Sequence, residues 1–570
     1  MTSPRRIAIV GAGPAGTALA LGLVRHRYEV TLVSDRTAEE IRAGSVMSSQ
    51  ITFESALEAE AAMGIADLLP SAPPIERMSY STSRLDGSSA AFTVDLGSPA
   101  RSLDQRVRLP LLMEEIERRG GKVVTLSASV EDLEDLAAEH DLVVVSTGRG
   151  GLSSLFPVDA ERTPYTTAQR VASLTYLRGV TPGAGLRYHC VEGVGECFTC
   201  PALSVDGPCD IVVVEGVPGG PLDRWDDVTT PEQHLSVLRD ALAEYFPTEA
   251  ARARDASLVD GCSVLRGRIV PAVRRPVGRL PSGAPVLGMA DVVVLNDPLT
   301  SQGANNAIKS ASFYLEAICA HSGAFDADWM QRTFDNFWRG WAQWATAWTN
   351  SWLQPARPHQ RAVVDAATRH PVIAERIAAG FDDARLFDPW WFDPDEAEAF
   401  VESQKAVEAS RFDVRDLRRA LGQYATGVTV VTTEDADGTW FGMTANSFTS
   451  VSLNPPLVLW AAAKSSPSLQ AFEHSARFAV NVLASDQHHL SRQFSVSGTD
   501  KFDGVRVLPD GDPPLLEGTV AWFVCRRTER VEAGDHVVFF GEIESYGAPG
   551  GEPLVFHSGF YRVATKHPDL

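Results

Sequence analysis

The sequence predicts a doubly wound α/β domain, interrupted by a mostly antiparallel subdomain and continued by a helical segment, with a separate β module at the carboxy-terminal end. Three observations carry this. An apolar strand enters the turn Gly11-Ala12-Gly13-Pro14-Ala15-Gly16 close to the first residue. The run Asp141 to Gly148 is apolar on both faces, as a strand inside a parallel sheet must be. Beyond about residue 410 the chain changes to short runs rich in Gly, Thr and Ser.

Residues 6 to 36 read as strand, glycine turn, helix and strand, the opening of a Rossmann-type sheet. The turn follows Ile7-Ala8-Ile9-Val10 and precedes a helix over Thr17 to Leu23. The three glycines serve different ends. Gly11 makes the tight turn, Gly13 lets backbone approach a pyrophosphate, and Gly16 allows helix and strand to pack closely. The N–H groups at the helix start add partial positive charge, so the site suits a dinucleotide. A ribose-binding acid belongs at the end of the second strand, Val30 to Val33. Asp35 is the candidate, although Ser34 occupies the expected position.

Between about residues 160 and 285, β segments such as Ile211 to Val217 alternate with Gly/Pro turns, which suggests a subdomain covering the reactive end of a cofactor. From Ala304 the chain turns helical. Trp341, Trp344, Trp348 and Trp352 recur every three or four residues, a spacing open to two readings, a buried packing face or an aromatic cage. Residues 394–410 are acidic and weakly amphipathic and read as a helical linker between a first domain, 1–393, and a second, 411–570. No repeat of solenoid length is visible.

A chain of 570 residues exceeds what one hydrophobic core usually serves, so more than one domain is expected. With 44% hydrophobic and 22% charged residues, the composition is that of a globular protein. The formal charge of -22 excludes a nucleic acid or an anionic membrane as the main partner and points to a neutral or locally steered substrate. Four of the seven cysteines cluster as Cys190, Cys197, Cys200 and Cys209. Cys197-Phe198-Thr199-Cys200 has zinc-ligand spacing, but no second close pair completes a site; the other reading is small apolar side chains on neighbouring strands in a reducing cytoplasm. No metal is therefore assigned. Arg5 and Arg6 before an apolar stretch resemble a signal peptide, but the ordered glycines and the second strand fit a nucleotide-binding unit, so the chain is read as cytoplasmic.

A second motif lies far along the chain: Gly288-Met289-Ala290-Asp291, then Asp297-Pro298-Leu299-Thr300-Ser301-Gln302-Gly303-Ala304-Asn305-Asn306. These resemble the Gly-Asp and Asp-Pro-x-x-x-Gln-Gly-Ala-Asn elements of FAD-dependent aromatic monooxygenases. The resemblance implies that Asp291 meets the ribityl chain, and that Pro298 with Gln302, Gly303, Ala304, Asn305 and Asn306 lines the isoalloxazine ring. A helix starting near Gly303 would aim N–H groups at the flavin and favour the negative charge of its reduced form. Arg106, before a helix over Leu109 to Arg119, matches the position of an FAD-contacting arginine; the other reading is a surface charge. With Ala347-Trp348-Thr349-Asn350, the first 400 or so residues resemble the oxygenase component of styrene and indole monooxygenases. Members of that family take reduced FAD from a separate reductase. Ser48 and Gln50 follow the indole-type pattern Ser-x-Gln-x-Met and are candidates for the reacting pocket, while Thr52 follows neither substrate type. A buried Gln50 would serve equally as a structural hydrogen bonder.

Residues 412–564 carry Gly427-Val428-Thr429, Gly442-Met443-Thr444-Ala445-Asn446-Ser447, Asn454-Pro455-Pro456, Gly534-Asp535-His536 and Phe556-His557-x-Gly559-x-Tyr561. This segment resembles the short-chain flavin reductases that feed two-component monooxygenases and fold as an FMN-binding split β-barrel. A flavin that must be released suits short hydroxyls and amides: Thr444, Ala445, Asn446, Ser447 and Ser450 at the ring edge and ribityl chain, with Ser466 and Lys501 for phosphate. His536 is placed by resemblance beside the nicotinamide or flavin ring; a lone structural histidine is the other reading.

Together the resemblances imply a self-sufficient monooxygenase. NADH would reduce FAD at the carboxy-terminal barrel, and the amino-terminal domain would use reduced FAD and O2 to epoxidise styrene-like alkenes and indole and to sulfoxidise aryl sulfides. The protein supplies orientation and excludes water from a small neutral aromatic substrate, so no catalytic triad is expected. A homodimer through the reductase barrel is implied by that fold. Two other classes stand beside this one: an NADH:FAD oxidoreductase with a weak oxygenase domain, and a non-catalytic FAD-fold interaction module.

Overall fold

The computed structural model describes residues 4–148, 151–183, 185–408, 414–435, 437–496, 501–509 and 511–564, with backbone alone at 414–416. The chain divides into two compact units, Met1–Ala409 and Ser410–Leu570.

In the first unit, the strand Arg6–Val10 lies between Glu29–Ser34 and Leu142–Val145, parallel to both, with Ile7 level with Val30 and Leu142. Lys122–Thr125 extends one edge and Pro285–Gly288 the other, and Val277–Arg279 closes that edge antiparallel. The chain leaves the first strand toward one side of the sheet and returns on the other. A crevice opens at such a switch point, outside the carboxyl ends of the strands. Ile7, Ala8, Ile9 and Val144 are fully buried because helices cover both faces.

A second sheet of nine strands stands beside this one in the same unit. It reaches well beyond the predicted 160–285 range. Pro74–Ser83 and Ser89–Ser102 belong to it, joined through parallel pairing of Pro74–Ser83 with Leu186–Val191. One face packs Phe198, Ile211 and Val213 against Leu299 and Trp348; the other packs Val212 and Val214 against Leu238 and Leu242.

On that second face the helix Pro231–Tyr245 buries His234. Its Nε2 lies 2.9 and 3.0 Å from Ser173 Oγ and Thr175 Oγ1, within hydrogen-bond reach of both hydroxyls. Burial, aided by Arg266, pushes the imidazole down to about 4. The folded chain therefore binds fewer protons here than the unfolded chain between pH 6.5 and 4. The stability His234 contributes is complete above about pH 6.5 and is lost as pH falls toward about 4. Denaturant midpoints measured across this window should fall less steeply in His234→Gln than in the parent; equal slopes would remove His234 from the account.

The helical segment begins with Gln302–Ala320 and Ala327–Phe337. A widened turn, Trp338–Ala342, precedes Gln343–Trp352. Trp341 joins the core under the first sheet and Trp348 the core under the second, so the tryptophan stripe is a packing face shared by two cores. Trp348 stacks on Phe387 at 4.6 Å and meets Phe381 edge-on at 4.7 Å. The segment read as a linker is a helix, Pro394–Glu408, belonging to the first unit: Ala397 and Phe400 are buried, and Phe400 stacks on Trp390 at 4.1 Å. Residues 409 and 410 of that prediction lie outside the described residues.

The second unit is the split β-barrel. Its seven-stranded sheet runs Trp440–Ala445, Thr429–Glu434, Arg477–Val482, Ala521–Ala533, His536–Gly547, Pro456–Ala463 and Thr449–Leu453, antiparallel throughout. A three-stranded sheet accompanies it. Val431, Trp460, Phe478, Val480 and Phe539 fill the interior. No helix among the described residues is long and apolar enough to cross a membrane.

Candidate active sites

The glycine turn is shaped by steric need. Gly11 has φ +117°, and a Cβ there would lie 2.8 Å from the Ser146 carbonyl carbon. A Cβ on Gly16 would sit 1.9 Å from the Gly11 oxygen. A Cβ on Gly13 would meet nothing within 4 Å, which leaves room for a ligand. The helix Pro14–Arg25 starts there with no side-chain cap and no acid in its first turn, so its N–H groups point outward unopposed. Ser146 Oγ donates to the Gly11 oxygen at 2.9 Å and holds the turn. Thr147 Oγ1, buried one residue further along, has no hydrogen-bond partner among the described residues. These features fit the pyrophosphate end of FAD.

Ser34 is buried and committed to its own turn, donating to the Arg36 oxygen at 2.6 Å. Asp35, directly beyond the strand, is exposed with its carboxylate 3.5 Å from Arg36 Nε. Asp291 approaches the end of the Leu142–Val145 strand, where a Cβ on Gly148 would lie 3.1 Å from the Asp291 Cβ. The structure thus brings Gly11, Gly13, Gly16 and Asp291 to the carboxyl end of the parallel sheet. Arg106 is not a surface charge: it is 1% exposed. Its Nε donates to Asp104 at 2.9 Å and its Nη1 to Asp260 at 2.8 Å. Burial opposes its charge, but the Asp104 and Asp260 pairs outweigh that and raise its pKa. Asp260 carries no signal in the sequence, since its partner lies 154 positions away.

The second motif forms a short turn, Pro298–Thr300, capped by Asp297, then Ser301 in left-handed conformation, then the helix Gln302–Ala320. That helix also begins without a side-chain cap. Gly303 is exposed and a Cβ there would meet nothing within 4 Å; Ala304 is half-buried. Backbone N–H groups of Gly303 and Ala304 are therefore what this helix start offers a flavin edge. The amide side chains do different work. Gln302 Nε2 donates to the Phe381 oxygen at 2.8 Å. Asn305 Nδ2 donates to the Ile51 and Ser301 oxygens, and its Oδ1 accepts from Phe53 N. Asn306 Oδ1 accepts from Trp341 Nε1 at 2.6 Å. Thr300 and Thr349 hydroxyls meet at 2.5 Å, and Tyr188 donates to the Leu299 oxygen at 2.8 Å, which bolts the half-buried Pro298 and its neighbours to the Trp348 helix and the second sheet.

Ser48 and Gln50 sit in a closed ring of hydrogen bonds. Ser48 Oγ donates to Gln50 Oε1 at 2.8 Å, Gln50 Nε2 reaches the Tyr176 hydroxyl at 2.5 Å, and that hydroxyl donates to the Ser48 oxygen at 2.9 Å. Gln50 is buried, with φ +31°, so the ring holds a backbone conformation that L residues rarely adopt. The structure gives Gln50 the structural hydrogen bonds that the sequence left as one of two readings. Tyr176 was missed because it lies 126 positions away.

In the second unit, Thr444 Oγ1 donates to the Ser491 oxygen at 2.5 Å, and Ala445 is buried with its oxygen accepting from Thr429 Oγ1 at 2.7 Å. Ser447 Oγ accepts from Ala461 N at 2.9 Å. Thr444 thus ties its strand to the helix His488–Ser495, and the other two bonds stitch strands together. Asn446 and Ser450 are exposed, Ser466 is half-buried on the turn after Pro456–Ala463, and His536 pairs across the ladder with Ala463. His536 Nδ1 lies 2.8 Å from Asp535 Oδ1, and this bond lowers the Asp535 carboxyl. Lys501 Nζ donates to the Gly442 and Phe494 oxygens at 3.0 and 3.1 Å, and burial lowers its pKa. Its ammonium is committed to backbone, unlike the projecting point charge expected for phosphate.

Cys197 and Cys200 point to opposite faces of one strand, into different cores, so the pair cannot share an ion. Burial pushes both thiols up, away from the thiolate a metal needs.

Residues 5–176 match the pyridine nucleotide-disulphide oxidoreductase family, 148–252 the substrate-binding domain of styrene monooxygenase A, and 421–565 the flavin reductase like domain. The chain is 31% identical to styrene monooxygenase StyA of Pseudomonas fluorescens over 331 residues, 56% of this chain and 78% of that protein. It is 45% identical to the NADH-dependent FMN reductase SmoA of Agrobacterium fabrum over 147 residues, 26% of this chain and 84% of that protein. Among solved structures, the styrene monooxygenase flavin reductase of Pseudomonas putida S12 is 32% identical, with 26% of this chain and 99% of that chain covered and a TM-score of 0.25.

Proposed function

Because the chain belongs to the styrene monooxygenase family and carries a flavin reductase domain on the same polypeptide, we propose that it is a self-sufficient monooxygenase: its second unit reduces FAD with NADH, and its first unit uses that FAD and O2 to epoxidise styrene-like alkenes and indole. The observation that carries this reading is the pair of uncapped helix starts, at Pro14 and Gln302, in the first unit of a chain whose second unit is a reductase barrel.

When bound, reduced FAD supplies the oxygen-transfer chemistry. The chain's residues bind and orient. The N–H groups after Gly13 hold pyrophosphate, Asp35 and Asp291 take ribose and ribityl hydroxyls, and the N–H groups of Gly303 and Ala304 favour negative charge on the ring. Pro298 and the Ser48–Gln50–Tyr176 ring fix the shape of the reacting pocket, while the aromatic cluster of Tyr80, Tyr188, Phe198, Trp352 and Phe381 excludes water beside it. In the second unit, the exposed Asn446 and Ser450 and the half-buried Ser466 and His536 keep side chains accessible to a flavin that leaves. A homodimer through this unit is the assembly that the resemblance to flavin reductases implies.

An electrophilic oxygen that attacks a styrene double bond should also attack sulfur. Thioanisole supplied to the full chain with FAD and NADH in air should yield its sulfoxide. Oxidation of indole with no turnover of thioanisole under the same conditions would contradict this part of the reading.

A further inference from the structure

We propose that Glu215 and Asp297 hold one proton between them, as a positioning pair that keeps a single negative charge behind the segment leading to the flavin-facing helix. The flavin half of this statement rests on the function proposed above; the shared proton does not.

Glu215 is the one acid within the apolar run Ile211 to Val217. Alternation along the strand puts it on the same face as Ile211 and Val213, the face that packs on Leu299 and Trp348. It is fully buried, and Asp297 is 1% exposed. Neither Glu215 oxygen, nor Asp297 Oδ2, has a hydrogen-bond donor among the described residues. Asp297 Oδ1 accepts from Leu299 N at 3.2 Å.

The charged groups around the pair are few. Glu196 is directly across the ladder from Glu215. Arg170, entering the neighbouring strand, is the cation that faces them, and its fork is spent on Glu196, with contacts of 2.8 and 2.9 Å. Three carboxyl groups thus share one guanidinium. After Arg170 and Glu196 cancel, two adjacent carboxyls remain in an apolar core, where both cannot ionise. One proton resolves this, with the Glu215 O–H donating to Asp297. Burial, then the neighbouring Asp297 and Glu196, push Glu215 well up; burial also raises Asp297, against the restraint of the Leu299 N–H. The Leu299 N–H already donates to Asp297 whereas no donor among the described residues reaches Glu215, so the geometry puts the proton on Glu215.

Its place gives it consequence. Asp297 leads through Pro298 and the left-handed Ser301 into the uncapped helix start. A second negative charge there would oppose the anionic ring that the helix N-terminus favours.

Infrared difference spectra of the full chain, titrated from pH 6 to 9, test the proton directly. A protonated-carboxyl C=O band should persist at pH 8, shift on exchange into D2O, and vanish in Glu215→Gln; a parent spectrum without the band, or a band that survives in Glu215→Gln, would overturn the proposal. FAD titrations of the first site then test the charge. Glu215→Gln keeps a donor for Asp297 and should bind FAD within about threefold of the parent, whereas Glu215→Leu should bind about tenfold or more weakly, because a buried acceptor loses its donor. Equal FAD affinity in both variants would overturn the positioning role. Should Glu215→Leu not fold, the band and the Gln variant decide. A chain that shows the band but takes up no FAD would refute the flavin reading and leave the shared proton standing.

Discussion

Gly16→Ala is expected to lower oxygenated product by about a hundredfold while NADH oxidation with added FAD stays within about twofold of the parent. The added Cβ would lie 1.9 Å from the Gly11 oxygen and 2.8 Å from Ser146 Oγ. Neither neighbour can yield without opening the turn, because the first is backbone and the second holds that backbone through its bond to the Gly11 oxygen. Overpacking of this kind costs on the order of 1–3 kcal/mol or more, and here the whole cost falls on the geometry that presents N–H groups to a pyrophosphate. The reductase residues lie in the other unit. Nearly all the NADH consumed by the variant should therefore appear as hydrogen peroxide. Product and peroxide measured together check this, and retained product at parental yield would mean that FAD is not held by this turn.

Trp348→Ala should destabilise the first unit by about 3–5 kcal/mol, the range for deleting a fully buried aromatic side chain. Trp348 is 0% exposed and contacts Phe381, Phe387 and Trp352. It also lies beside Thr349, whose hydroxyl holds Thr300 in the flavin-facing segment. Denaturant unfolding followed by tryptophan fluorescence should show the early loss of the first unit. Reductase activity, followed in the same samples, should keep its midpoint. A shift below about 1 kcal/mol would mean that the cavity collapses or that the two cores are not joined through this helix.

What the sequence disclosed, and what it concealed, follows from how local each constraint is. The glycine turn was legible because its glycines fall within six residues, from Gly11 to Gly16, after an apolar strand; the distant Ser146 that also crowds Gly11 and Gly16 left no trace in the sequence. The strands Pro74–Ser83 and Ser89–Ser102 were not assigned, although Ser89–Ser102 alternates buried and exposed residues along most of its length. The two form an antiparallel hairpin around Asp86-Gly87, a local signal that went unread, whereas the parallel pairing of Pro74–Ser83 with Leu186–Val191, about a hundred residues later, leaves no turn signal. Residues 394–410 read as a linker because acidic side chains dominate, yet Phe400 and Trp390 stack and fasten the helix to its unit. The Cys197–Cys200 spacing alone suggested a metal pair, and the strand that carries it explains why none was assigned: two residues three apart chelate from a turn but diverge from a strand. In the Asp297–Asn306 motif the amides of Gln302 and Asn305, read as lining a flavin ring, bond inward, and it is Gly303 that is exposed. Glu215 went unread in the run Ile211 to Val217, and although Asp297 stood in the second motif, nothing in the sequence joins two residues 82 positions apart.

The most direct test of one-chain monooxygenation is a stoichiometry. The purified chain alone, with FAD, NADH and indole in air, is followed for NADH loss, oxygenated product and hydrogen peroxide at once. The account predicts product in sizeable proportion to NADH with no reductase added. Rapid NADH loss that yields almost only peroxide would contradict it and make the protein a flavin reductase first.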